Sequence, residues 1–154
     1  MGWLRWLLHS EIPRRKTVLA EIHEADPRRC PTFEITQELA EDPDVPIQPL
    51  VLAIDEFHEL SEDRRYRTEF LELVVNIIRP GRALGIVLVL ATQRPDAEAI
   101  TTRVRDLFGY RLALRCLSTD QSNMILGDRM VSQGFDATSI GPEAQGLGYL
   151  RAAT

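Results

Sequence analysis

Two rhythms of apolar residues run through this chain. The first is a short unbroken run. Leu50-Val51-Leu52-Ala53-Ile54 meets two adjacent carboxylates, Asp55 and Glu56, and Gly85-Ile86-Val87-Leu88-Val89-Leu90-Ala91 meets Thr92-Gln93-Arg94-Pro95. Short apolar runs with β-branched residues predict strands buried on both faces, as in a parallel sheet. The second rhythm is helical: Phe70, Leu71, Val74, Val75 and Ile78 share a face between the two runs. Strand, helix, strand is a βαβ unit with a right-handed crossover. Both strands then end on one edge of the sheet, where α/β folds place their sites. Asp55, Glu56 and Gln93 are therefore expected to converge there.

The remaining pattern is less regular. In residues 1–25, Trp3, Leu4, Trp6, Leu7 and Leu8 can share a helix face, continued by Val18, Leu19 and Ile22. Pro13 is expected to interrupt or restart that helix. Docking on the sheet is the favoured role; a membrane-surface helix with interfacial Trp is the alternative. Residues 26–49 form a connector punctuated by Pro27, Pro31, Pro43, Pro46 and Pro49, with one short helix beginning near Thr36. Pro80-Gly81 predicts a helix stop near Arg79 and places Arg82 in a tight loop. Beyond residue 95, a short helix or irregular segment precedes a third strand, Tyr110–Cys116. A helix opens at Ser118 or Thr119 and reaches Leu126, and Leu147–Leu150 forms a last strand. The whole reads as one α/β domain with a mostly parallel sheet and flanking helices.

Composition narrows the function classes. The chain has 154 residues, enough for one domain with a real core, and a net charge of −5. A small acidic protein has no global basic field for nucleic acid, so any DNA contact must be local. The basic residues are nearly all arginine, Lys16 being the only lysine. Cys30 and Cys116 are far apart and lack metal-type spacing, which suits a reducing cytoplasm. No apolar run approaches the length of a membrane span.

Candidate chemistry centres on Asp55 and Glu56. Such a pair can hold Mg²⁺ through water with one carboxylate and orient a nucleophilic water with the other. The plainer reading is that two acidic residues open the loop after a strand. His58-Glu59 lacks the second histidine of an H-E-x-x-H zinc helix. A metal-dependent nuclease or phosphatase using Asp55, Glu56 and Glu59 would want more carboxylates on convergent strand ends.

With these residues in place, the chain resembles the motor domain of FtsK/SpoIIIE-type DNA translocases, of the kind found in actinobacterial division and conjugative-transfer proteins. The resemblance follows Asp55-Glu56-Phe57, Gly81–Ile86, Ala91-Thr92-Gln93-Arg94-Pro95, Ile100-Thr101, Arg111–Arg115, Ser122–Gly127 and Gly146–Leu150 in order. It implies a RecA-like P-loop NTPase core that moves double-stranded DNA through a hexameric ring, using ATP and Mg²⁺. By that resemblance Asp55 matches the Walker B aspartate and Glu56 the carboxylate that polarises the attacking water. Gln93 matches the polar sensor near the γ-phosphate, and Arg82 the arginine that reaches a neighbouring subunit's nucleotide. Arg94, with Arg103 and Arg105 nearby, is the implied DNA footprint. The implied setting is cytoplasmic, with membrane association only through partner subunits.

Two departures stand out. Asn123 occupies a position where the family usually has arginine. No G-x-x-x-x-G-K-[ST] loop is present, so the glycine-rich backbone and lysine that cradle phosphates are missing. The chain therefore reads as the C-terminal half of a motor core, a partial RecA-like fold without its P-loop strand. Its expected role is that of a motor half needing a P-loop-bearing partner, or of a non-catalytic module that binds DNA or docks on intact motor subunits. The resemblance also implies that the missing strand lies between the second and third strands. It would leave a gap of roughly 9–10 Å, two inter-strand spacings.

Overall fold

The computed structural model describes residues 1–95 and 101–152, without the side chain of Arg103. The chain opens with α1 (Gly2–Trp6), a π-turn over Leu7–Glu11, and α2 (Ile12–Ala25). Pro13 marks a restart of α-helical spacing without breaking the helical rod, the second of the two outcomes that the sequence left open. It sits in the first turn of α2, directly after the widened π-turn. A proline there has no preceding carbonyl to clash with at normal α spacing. Leu4, Leu7, Ile12 and Leu19 are buried, while Trp3 and Trp6 are 71% and 40% exposed. The tryptophans thus lie off the core face and pack edge-to-face on each other, with centroids 5.8 Å apart.

The connector carries α3 (Gln37–Glu41), capped as expected by Thr36, whose hydroxyl accepts the Leu39 N–H at 3.2 Å. Next come β1 (Leu50–Ile54), α4 (His58–Glu62), α5 (Arg67–Gly81) and β2 (Ile86–Leu90). β1 and β2 pair in parallel, from Leu50 opposite Ile86 to Ile54 opposite Leu90. α5 buries Phe70, Leu73, Val74 and Ile77 in the main core. It ends at Gly81, close to the stop expected near Arg79, with Pro80 inside its last turn. The proline costs little so near the helix end, and the Leu84 N–H closes the turn on the Pro80 and Gly81 carbonyls. Gly81 lies tight against the Ile86 carbonyl, 2.9 Å from where a Cβ would stand.

The strands differ from expectation in their second face. Leu88 and Ile86 are buried, but Val51, Val87 and Val89 are 64%, 51% and 44% exposed. Among the described residues the helices lie on one face of this sheet only, so its apolar alternation meets solvent on the other.

Arg15 joins the helix to the sheet. Its guanidinium is buried and donates to Glu11 Oε1 at 2.8 Å, to the Leu84 carbonyl at 2.7 Å and to the Gln48 carbonyl at 2.6 Å. Those two carbonyls precede β2 and β1, so one side chain ties both strand entries to α2.

A second, smaller layer follows α6 (Thr102–Arg105). It comprises β3 (Tyr110–Ala113), α7 (Thr119–Leu126) and β4 (Tyr149–Ala152). β3 and β4 pair antiparallel, and α7 packs on them around Ala113, Cys116, Leu126, Ala137 and Ile140. β3 stops at Ala113 rather than Cys116, and β4 starts two residues later than the sequence pattern suggested. Cys116 leaves the strand to donate its N–H to the Ala137 carbonyl. The described strands form one parallel and one antiparallel pair, with β2 and β3 not paired to each other. The α/β class itself holds.

Candidate functional site

The end of β1 carries the first half of the site. Asp55 accepts the Glu56 N–H on Oδ1 at 2.9 Å, and Glu56 adopts a positive φ of 50°. A left-handed glutamate is uncommon and turns the chain sharply off the strand. Phe57 anchors that turn by burying its ring 6.2 Å from Phe70. Its N–H bonds to the Ala91 carbonyl, past the end of β2.

The second half comes from β2. The Gln93 N–H donates to Glu56 Oε2 at 3.1 Å. Asp55, Glu56 and Gln93 thus meet at one edge of the sheet, as the βαβ pattern requires. His58, which the sequence weighed only as a zinc ligand, belongs to this cluster. Its ring is buried, with Nδ1 3.1 Å from Glu56 Oε2 and 3.0 Å from Thr92 Oγ1. A carboxylate cannot donate, so the Glu56 contact is a hydrogen bond when Nδ1 carries the proton. Thr92 Oγ1 also accepts the Arg94 N–H at 3.0 Å. The only sequence signal for His58 was its place two residues after a carboxylate.

The arginines fall in separate places. Arg82 is exposed just beyond α5, at the entry of β2 and so at the opposite end of the sheet from Glu56. Arg94 is exposed beside the Glu56 cluster. The Arg103 side chain lies outside the described residues. Arg105 is no surface footprint: it is 7% exposed and pairs with Asp106 at 3.0 Å and Asp128 at 3.2 Å. Asn123 is a local structural residue, its Oδ1 accepting the Val131 N–H at 3.1 Å.

The residues fit a magnesium ion held mainly by its ligand. Asp55 is exposed, has one oxygen engaged by backbone, and has no ion-pair partner among the described residues. Mg²⁺ keeps most of its waters and needs one or two protein carboxylates beside a phosphate. The described residues contain no group of three or more His, Cys, Asp or Glu side chains able to enclose a metal, so nothing supports the nuclease reading with Glu59. No described helix is long and apolar enough to cross a membrane.

No protein-family model matches the chain. It is 33% identical over 147 residues to the ESX secretion system protein EccC of Thermomonospora curvata, an alignment covering 96% of this chain and 10% of that protein. The solved cytoplasmic domain of the type VII secretion ATPase EccC from that organism matches with a TM-score of 0.64 at 30% identity, over 96% of this chain and 16% of the other. The DNA translocase FtsK of Borreliella burgdorferi is 40% identical over 78 residues, 51% of this chain and 10% of that protein. The pCW3 conjugation coupling protein TcpA shares the fold, with a TM-score of 0.62 at 19% identity over 92% of this chain and 42% of that one. The chain thus spans about a tenth of the length of the curated relatives named here.

Proposed function

This chain belongs to the FtsK/SpoIIIE-type motor domains, and we propose that it supplies the water-activating half of an ATP-driven motor that moves double-stranded DNA. The carrying observation is the Gln93 N–H to Glu56 Oε2 bond, which joins the ends of two adjacent parallel strands into one polar edge. In this reading bound Mg-ATP supplies the γ-phosphoryl group that is attacked. Asp55 holds the magnesium ion through water. Glu56 accepts a hydrogen bond from the attacking water and fixes its direction, and the Gln93 side chain reads the γ-phosphate. His58 holds the Glu56 carboxylate from behind. Phosphoryl transfer depends on such positioning and charge neutralisation more than on covalent help.

The phosphate cradle comes from elsewhere, because these 154 residues contain no P-loop pattern. A P-loop-bearing segment or subunit completes the nucleotide site, and Arg82, at the far end of the sheet, serves the nucleotide of a neighbouring subunit in a ring. Arg94 faces the DNA. The second reading is a non-catalytic module that docks on intact motor subunits, favoured by the exposed apolar face of Val51, Val87 and Val89. Mixing the chain with a P-loop-bearing family domain and measuring ATP turnover separates the two. Turnover that needs both parts and is lost with Glu56→Gln supports the motor half. Complex formation without turnover supports docking alone.

A further inference from the structure

Away from the Glu56 edge, a cavity of about 690 Å³ opens between α6, the start of β3, the end of α7 and β4. Arg105, Arg111 and Arg151 line it together with Asp106, Asp128, Phe108 and Gly127. None of these residues belongs to the cluster assigned to nucleotide chemistry. We propose that this cavity is a second anion site, built to take a phosphate group in the fork of Arg111 and Arg151.

Charge is the first argument. Three guanidinium groups face two carboxylates, so the cavity keeps one positive charge over. The carboxylates also do not serve the arginines evenly. Arg105 takes the good contacts, 3.0 Å to Asp106 and 3.2 Å to Asp128, while Arg111 reaches Asp106 only at 3.4 Å. Arg151 makes its bond to a neutral group, the Leu126 carbonyl, at 2.5 Å. Burial makes the imbalance matter. The Arg105 and Arg111 side chains are 8% and 13% exposed, whereas Asp106 and Asp128 are 55% and 83% exposed and well hydrated. Burial, followed by the neighbouring Arg151 and Arg105 cations, holds Arg111 below the usual guanidinium range. An incoming oxyanion relieves that repulsion.

Shape is the second argument. Gly127 has φ +115°, and a Cβ there would collide with Arg151 Nη1. The guanidinium reaches the cavity because position 127 carries no side chain. Guanidinium forks match the tetrahedral oxygens of phosphate with paired, charge-assisted hydrogen bonds. The phosphate can be free or part of a DNA backbone; the recognising chemistry is the same.

Titration of the full chain with inorganic phosphate, against chloride at matched ionic strength, tests the proposal by following the Gly127 amide signal. A parallel arm uses a short duplex DNA. Saturable movement of Gly127 is expected in at least one arm, weakened about tenfold or more by Arg111→Gln and by Arg151→Gln. Asp128→Asn keeps an amide oxygen that can accept from Arg105 and strengthens binding about threefold by removing a competing charge, with a melting curve to confirm that the variant is folded. A response to free phosphate identifies a small ligand, and a response to duplex alone identifies the DNA backbone. No saturable response in either arm, with wild type and Asp128→Asn alike, overturns the site. So does a response that both arginine variants leave unchanged.

Discussion

Arg15 and Glu11 lie one helical turn apart and form a buried ion pair at 2.8 Å, in which the arginine is 2% exposed. The same guanidinium caps the carbonyls before both strands of the parallel pair. Removing Arg15 leaves Glu11 with Arg14 as its partner but strips the two buried carbonyls of their donor, and breaking a buried pair typically costs up to about 3–5 kcal/mol. Arg15→Ala is expected to destabilise by about that amount, read as a lowered urea midpoint. A loss under about 1 kcal/mol would mean that the clamp carries no more than a surface pair does.

Acid should weaken the same junction. The hydrogen bonds from Arg14, aided by those from Arg15 and opposed by burial, hold the Glu11 carboxyl below its ordinary value of 4.5. A carboxylate depressed in the folded state contributes stability that is complete above the unfolded value and is lost as pH falls through the lower folded value. The unfolding midpoint is therefore expected to drop below about pH 4.5, with a shallower slope in Glu11→Gln. Identical acid profiles for the two proteins would exclude Glu11 as the source.

Gly81→Ala is expected to cost about 1–3 kcal/mol, because its methyl group would press on the Ile86 backbone oxygen rather than on a movable side chain. Gly134→Ala is a control with open space around it, although its positive φ adds a modest strain of its own. Chemical denaturation compares them directly. A loss below about 0.5 kcal/mol at Gly81 would mean that the Ile86 carbonyl yields to the methyl group.

Arg94 and Arg105 should respond differently to substitution. Arg94 is exposed, and Arg94→Ala is expected to leave stability intact while reducing the salt dependence of duplex binding by about one unit of slope. Arg105→Ala is expected to lower stability instead, since its two ion pairs are partly buried. Fluorescence anisotropy across a salt series, with a melting curve for each variant, reads both. An unchanged salt slope in Arg94→Ala would remove it from the DNA face.

Backbone amides along β2 should alternate in protection. The Ala91 N–H points to Ile54 on β1, so Val87 and Val89 share that direction by the pleat, while Leu88 and Leu90 face the open edge. Hydrogen exchange is expected to be slow at the first pair and fast at the second. Uniform protection at all four would show that another strand covers the edge.

The parts of this fold legible in the sequence are those set by local periodicity. Both strands of the parallel pair, the helix between them and the caps at Thr36 and Ser118 follow from residues a few positions apart, although the buried face of α5 is turned to include Leu73 and Ile77 and leaves Leu71 and Ile78 only partly buried. The convergence of Glu56 and Gln93 was legible too, because parallel strands end on one side. Features that depend on long-range contact were not. Arg15 reads as one member of a charged run, and its burial depends on carbonyls 33 and 69 residues away. Arg105 reads as a surface cation until Asp128 is brought beside it by α7. His58 was discounted as a metal ligand, and its bond to Thr92 spans 34 residues. The exposed second face of β1 and β2 was invisible because an apolar run looks the same whether or not something covers it.

The π-turn over Leu7–Glu11 acts as a phase offset between two halves of one helical rod. Each residue of an α-helix advances the azimuth by about 100°. The wider turn resets that angle, so Leu4 and Leu7 point the same way as Ile12 and Leu19 further down. Regular α spacing over the same residues would turn everything before position 7 relative to α2 by up to about 100°, the angle of the one extra residue that the wider turn absorbs. Leucines that now meet α5 would rotate away, and the outward-facing tryptophan pair would be carried toward the vacated groove. The chain's first six residues thus depend for their facing on an irregularity that a count of heptads would discard as noise.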